Sequence, residues 1–156
     1  MRLRYDASAR LGVPAHVTVL VPFMDPLAID GKVLDAVCNA LRSVSSFEFH
    51  FRQIGRFPET AYLAPEPSVP FVSLTQALVR AFPEYPPYGG RHDGIVPHLT
   101  IADGSAEHAD AAALQVHAWL GENGAIRSTC TSIDLLENSL GHWRQMHAFK
   151  LPGAEG

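Results

Sequence analysis

The sequence predicts an α+β fold of two pseudo-symmetric lobes. Each lobe is a mostly antiparallel sheet with helices outside, and the two sheets face a central cleft. Three observations predict it. A His-apolar-Thr-apolar pattern occurs twice, as His16-Val17-Thr18-Val19 and His98-Leu99-Thr100-Ile101, 82 residues apart in a chain of 156, and a repeat at just over half the length reads as a duplicated half-domain. Strict period-2 runs such as Phe47-Glu48-Phe49-His50-Phe51-Arg52 are interleaved with helical periodicities such as Val33, Val37 and Leu41. The composition, 47% apolar and 18% charged, suits a single folded domain over residues 1–156.

The elements follow in order. Residues 2–11 read as the tail of a helix, with Gly12 at its C′ position. Residues 15–23 are β-branched and apolar and predict the first motif strand, entered through Pro14. Asp25-Pro26 turns the chain, and Asp30 is an N-cap for a helix from Gly31 to about Val44. Phe47 to Arg52 is a half-buried strand whose three phenylalanines face a core. Residues 55–58 predict a turn, residues 60–64 a second strand, residues 65–70 a proline-rich loop, and residues 71–82 a helix ending before Pro83.

Residues 83–94 form the least regular stretch and lead into the second motif strand, at about 96–102. Ser105 then caps an alanine-rich helix over 106–120 with Gly121 as its stop. Residues 126–137 predict one strand, residues 138–141 a hairpin turn, and residues 143–151 the last strand.

The chemistry sits in the doubled motif. Side chains alternate along a strand, so His16 shares a face with Thr18, and His98 with Thr100. A cleft between the lobes then holds two imidazoles and two hydroxyls. Imidazole titrates near pH 6.5, so one ring can act as a neutral base while the other acts as a charged acid. Hydroxyls donate to an oxyanion, and phosphoryl transfer depends on such positioning and charge stabilisation. A phosphodiester fits this set: one histidine takes a proton from water and the other gives one to the departing oxygen. Two histidines are too few for a zinc site, and Asp103 is expected on the strand face opposite His98. No metal and no cofactor are expected.

Charge and composition narrow the partners. A net charge of −4 and a pI of about 6.0 argue against a grip on long nucleic acid, DNA included, and leave room for a small or terminal phosphodiester. No apolar run is long enough for a membrane span, and the first residues carry no signal-peptide pattern. Cys38 and Cys130 are expected reduced, and the protein cytoplasmic. The long loop predicts a lid over the cleft, with Tyr85 or Tyr88 stacking on a base and Arg91 or His92 near the phosphate. An ordered surface loop whose tyrosines pack on the fold is the alternative. Arg52 and Arg56 are further sources of positive charge, or else solvated surface residues.

The paired HVTV and HLTI motifs resemble those of the two-histidine (2H) phosphoesterase superfamily, and within it the 2′-5′ RNA ligase-like branch. The stretches Phe57-Pro58-Glu59-Thr60-Ala61-Tyr62-Leu63-Ala64-Pro65-Glu66-Pro67 and Phe82-Pro83-Glu84-Tyr85-Pro86-Pro87-Tyr88-Gly89-Gly90 are similar to that branch as well. The resemblance implies a bilobal α+β fold and metal-independent action on 2′,3′-cyclic phosphates or 2′-5′ linkages of RNA-like molecules, with His16, Thr18, His98 and Thr100 as the active-site set. The family pattern also carries a strand ahead of the helix over residues 2–11, and this sequence is expected to lack it. The expected reaction is hydrolysis of a 2′,3′-cyclic phosphate. Its rivals are 2′-5′ RNA ligation or its reversal, and a module that binds a nucleotide or RNA end without turnover.

Overall fold

In the computed structural model, residues 9, 11–91 and 94–154 are described. The helix expected over residues 2–11 lies outside them except at its end. There the Gly12 N–H donates to the Ala9 carbonyl at 3.2 Å, and Gly12 takes a φ of +90°, the left-handed value a C′ glycine supplies.

Helix α1 (Gly31–Leu41) begins where the sequence places its cap: the Asp30 carboxylate accepts the Val33 N–H at 3.0 Å. Helix α2 (Val69–Ala81) starts with Pro70 in its first turn, where a missing N–H costs nothing. Helix α3 (Ala106–Asn123) is capped by Ser105, whose hydroxyl accepts the His108 N–H. This helix runs through the expected stop at Gly121 and ends at Gly124 (φ +77°), whose N–H reaches the Leu120 carbonyl. Gly121 has nothing within 4 Å of its Cβ direction and simply sits on an open helix face.

The strands are β1 (Phe47–Phe57), β2 (Thr60–Glu66), β3 (Leu99–Asp103), β4 (Ile126–Cys130), β5 (Ser132–Glu137) and β6 (Arg144–Lys150). An antiparallel four-stranded sheet has the order β3-β2-β1-β4, and β5 pairs antiparallel with β6. The expected turn at residues 55–58 is shorter, since Gly55, Arg56 and Phe57 still pair with Tyr62, Ala61 and Thr60. Likewise residues 65 and 66 belong to β2 and not to the following loop. The single strand expected over 126–137 breaks at Thr131, where the chain leaves one sheet for the other. The Thr131 carbonyl there accepts the Leu151 N–H. The hairpin turn closes as expected, with the Gly141 N–H on the Asn138 carbonyl at 2.9 Å.

Two cores result, and they define the lobes. In the first, Phe51, Ala61, Leu63 and Ile101 of the large sheet pack on Ala109, Ala112 and Val116 of α3. In the second, Val37 and Leu41 of α1, Leu74 and Leu78 of α2, and Phe149 of β6 pack together. The phenylalanine row faces inward as the alternation predicts: Phe47 and Phe49 both meet Phe71 of α2 edge-on, at 4.9 and 5.1 Å between centroids.

Residues 15–23 correct the sequence reading. The chain is irregular there, bending at Ala15, Val19 and Pro22, and no strand is assigned among the described residues of this segment. Pro14 and Pro22 bring no N–H, and neither sheet lends the segment an edge. Two of its carbonyls are taken by tertiary partners. The buried Thr75 hydroxyl (2% exposed) donates to the Val19 carbonyl at 2.7 Å, and the Tyr88 N–H to the Val21 carbonyl at 2.6 Å. Val17 packs against the first core and Val19 against the second, so the first motif lies where the lobes meet.

Among the described residues, no helix is long and apolar enough to cross a membrane. Glu137, at the end of β5, is a buried carboxylate (4% exposed). The Ser139 hydroxyl, the Ser139 N–H at 2.6 Å and the Arg144 Nε–H donate to it, and these bonds hold its carboxyl down to about 2.

Candidate active site

The second motif is a sheet strand. His98 stands just before β3 and Thr100 within it, opposite Tyr62 of β2. Burial alternates cleanly along β2. Ala61, Leu63 and Pro65 are covered, so Thr60, Tyr62, Ala64 and Glu66 lie on the open face, and Thr100 with them. The register shifts by one residue between Ala61 and Tyr62, which puts an extra residue into β3. Ile101 and Ala102 are consequently both buried, and Asp103 falls on Thr60's side, not on the face opposite His98 as simple alternation predicts. The Thr60 hydroxyl donates to the Asp103 carboxylate at 2.6 Å.

Both histidines are half-buried and are held alike. His16 Nδ1 lies 2.8 Å from the Pro14 carbonyl, and His98 Nδ1 lies 2.7 Å from the Val96 carbonyl, in each case two residues back. A carbonyl oxygen can only accept, so Nδ1 carries the proton in both rings and Nε2 keeps the lone pair. Each imidazole is thereby fixed in the tautomer that presents Nε2 as a base when neutral and as an N–H acid when charged. The residues that follow them, Val17 and Leu99, pack against the same core.

The surroundings of the two rings differ. His98 sits against Phe57 and Tyr62, each 5.4 Å away between centroids, the first edge-on at 85° and the second tilted at 58°. Phe57 and Tyr62 lie on each other at 4.6 Å and 31°. Gly55 makes room for this group. A Cβ there would come within 2.5 Å of the Tyr62 hydroxyl oxygen and closer still to the ring. Neither aromatic was singled out from sequence. The signal lay in the alternation of β2, which puts Tyr62 opposite the covered Ala61 and Leu63.

The long loop divides its expected residues. The Tyr85 ring packs on Phe23 at 5.2 Å and joins the second core. Tyr88 is half-buried, its hydroxyl pushed up by burial, and it opens a run of left-handed backbone through Gly89 and Gly90. With its N–H on Val21, this loop ties the first motif to the approach of the second. Arg91 is exposed, and His92 lies outside the described residues. Arg56 is bonded to Asp110 of α3 and is thus on the covered side of the sheet. Arg52 is exposed at the bulge in β1.

Two imidazoles held alike through Nδ1, each followed by Thr at the second residue, are the pattern of a 2H phosphoesterase-type protein. A family model described as the 2′-5′ RNA ligase superfamily matches residues 1–142, and the chain belongs to that superfamily, which is the 2H phosphoesterase superfamily. No curated protein matches the chain. Membership supports a 2H phosphoesterase- or ligase-like activity.

Proposed function

We propose that this protein is a metal-independent phosphodiesterase that opens 2′,3′-cyclic phosphates of nucleotides or RNA ends. The observation that carries the reading is the matched pair of Nδ1–carbonyl bonds, which leaves Nε2 of both His16 and His98 for proton transfer. One neutral imidazole removes a proton from water as its oxygen bonds to phosphorus. The other, charged, delivers its Nε2 proton to the ribose oxygen as the P–O bond breaks. Thr18 and Thr100 donate to the non-bridging oxygens. A general acid or base contributes roughly 10²–10⁴ in rate, so losing either histidine removes a factor of that order.

The family description favours a second reading, 2′-5′ ligation of RNA or its reversal, for which the same residues serve with a ribose hydroxyl as nucleophile. The test is turnover of the four 2′,3′-cyclic nucleoside monophosphates with EDTA present, wild type beside His16→Ala and His98→Ala. The proposal requires activity that survives EDTA, shows a bell-shaped pH profile and falls by about 10²–10⁴ in each variant. Turnover of 2′-5′-linked dinucleotides alone selects the second reading. Tight binding with no turnover of either makes the protein a binding module.

A further inference from the structure

The proposed reaction says nothing about what holds the rest of the substrate. We infer that Phe57 and Tyr62 form the platform on which the base of a nucleotide substrate stacks, beside His98. The inference rests on the reading above and names the substrate class of that same site.

Four observations carry it. The pair lies on the open face of the sheet, and both rings touch His98, so a group seated on them is next to the proposed proton donor or acceptor. Phe57 is a large apolar side chain left 37% exposed, and its ring leans on Tyr62 at 4.6 Å and 31°, so the pair offers an aromatic surface to a third flat ring. The arrangement is built, because Gly55 is the vacancy that lets the Tyr62 ring lie across β1. Tyr85, expected from the sequence to stack on a base, is packed on Phe23 instead. A π-face accepts every base, and only the Tyr62 hydroxyl can add a hydrogen bond. The platform therefore favours larger rings over smaller ones and discriminates little otherwise.

Stacking on one aromatic ring corresponds to roughly five- to hundredfold in affinity. The experiment compares 2′,3′-cyclic AMP with glycerol 1,2-cyclic phosphate, which has the same strained phosphodiester and no base, on wild type, Phe57→Leu and Phe57→Trp. Thermal unfolding checks that each variant is folded. The expected result is that the ratio of kcat/KM for cyclic AMP to kcat/KM for the baseless substrate falls roughly five- to hundredfold in Phe57→Leu and is restored in Phe57→Trp. An equal loss on both substrates means that Phe57 only props the His98 ring, and overturns the platform, as does no loss on either. If wild type turns over neither substrate, the catalytic reading fails on its own. The platform is then judged by calorimetric titration with adenosine 2′-monophosphate against ribose 5-phosphate. Binding of the nucleotide that weakens in Phe57→Leu upholds it, and binding that is absent or indifferent to the substitution overturns it.

Discussion

Gly55→Ala is a small perturbation with a sign that depends on one neighbour. Gly55 has an ordinary strand conformation, so alanine suits its backbone and would on that ground stabilise the fold by about 0.4–1 kcal/mol through the unfolded chain. The added Cβ, however, meets the Tyr62 ring, with the hydroxyl oxygen at 2.5 Å and ring carbons nearer. To reach ordinary contact the ring must retreat by about 1 Å or more, out of its contacts with Phe57 and His98. Overpacking of that kind costs about 1–3 kcal/mol, so the net expectation is a destabilisation of about 1 kcal/mol or more. In a chain of this size each kcal/mol lowers Tm by roughly 2–4 °C.

The Tyr62→Ala background removes the obstacle, and there the same Gly55→Ala change should stabilise. A double-mutant cycle read by urea midpoints at constant slope then gives a coupling of about 1–3 kcal/mol, within the range for residues in contact. Gly55→Ala that stabilises the wild type, or that has the same effect in both backgrounds, would refute the placement of the Tyr62 ring across β1.

Further outcomes follow from other contacts. Glu137 has a folded carboxyl near 2 against an ordinary value near 4.5, so its bonds stabilise the fold fully above about pH 4.5. That stability is lost as the pH falls from there toward 2. Urea midpoints of wild type should drop across this window more steeply than those of Glu137→Gln, and equal slopes would contradict the assignment. Thr75→Val leaves the Val19 carbonyl without its donor and should cost about 1–3 kcal/mol. It should also lower kcat/KM, since the first motif loses a tie; full activity would show that the tie does not position His16. Asp30→Ala removes the cap of α1 and should cost about 1 kcal/mol in denaturant unfolding, with no change in kinetics.

What the sequence made legible was local chemistry and periodicity. The Asp30 and Ser105 caps, the left-handed Gly12 and the inward phenylalanine row were all readable, because each depends on neighbours within a few residues. The doubled His-x-Thr pattern pointed to both motifs and to the family. The misreadings have a common cause in pairing between distant segments. A one-residue bulge moved Asp103 to the other face, and Thr131 handed one apparent strand to two sheets. Residues 15–23 have every strand propensity and no ladder, since a ladder needs a neighbour that propensity cannot supply. The Phe57–Tyr62 group was not legible because residues 55–58 read as a turn, which takes Phe57 out of the strand it in fact closes.

The manner in which the first motif is anchored has a consequence for how the protein acquires its site. The carbonyl of Val19 finds its donor at Thr75, 56 positions later, and that of Val21 finds its donor at Tyr88, beyond the end of α2. Contacts that close such long loops are entropically late. His16 leaves the ribosome well before His98, yet its resting place does not exist until α2 and the loop after it have been made. During synthesis the first motif waits on an unanchored segment until residue 88 has emerged.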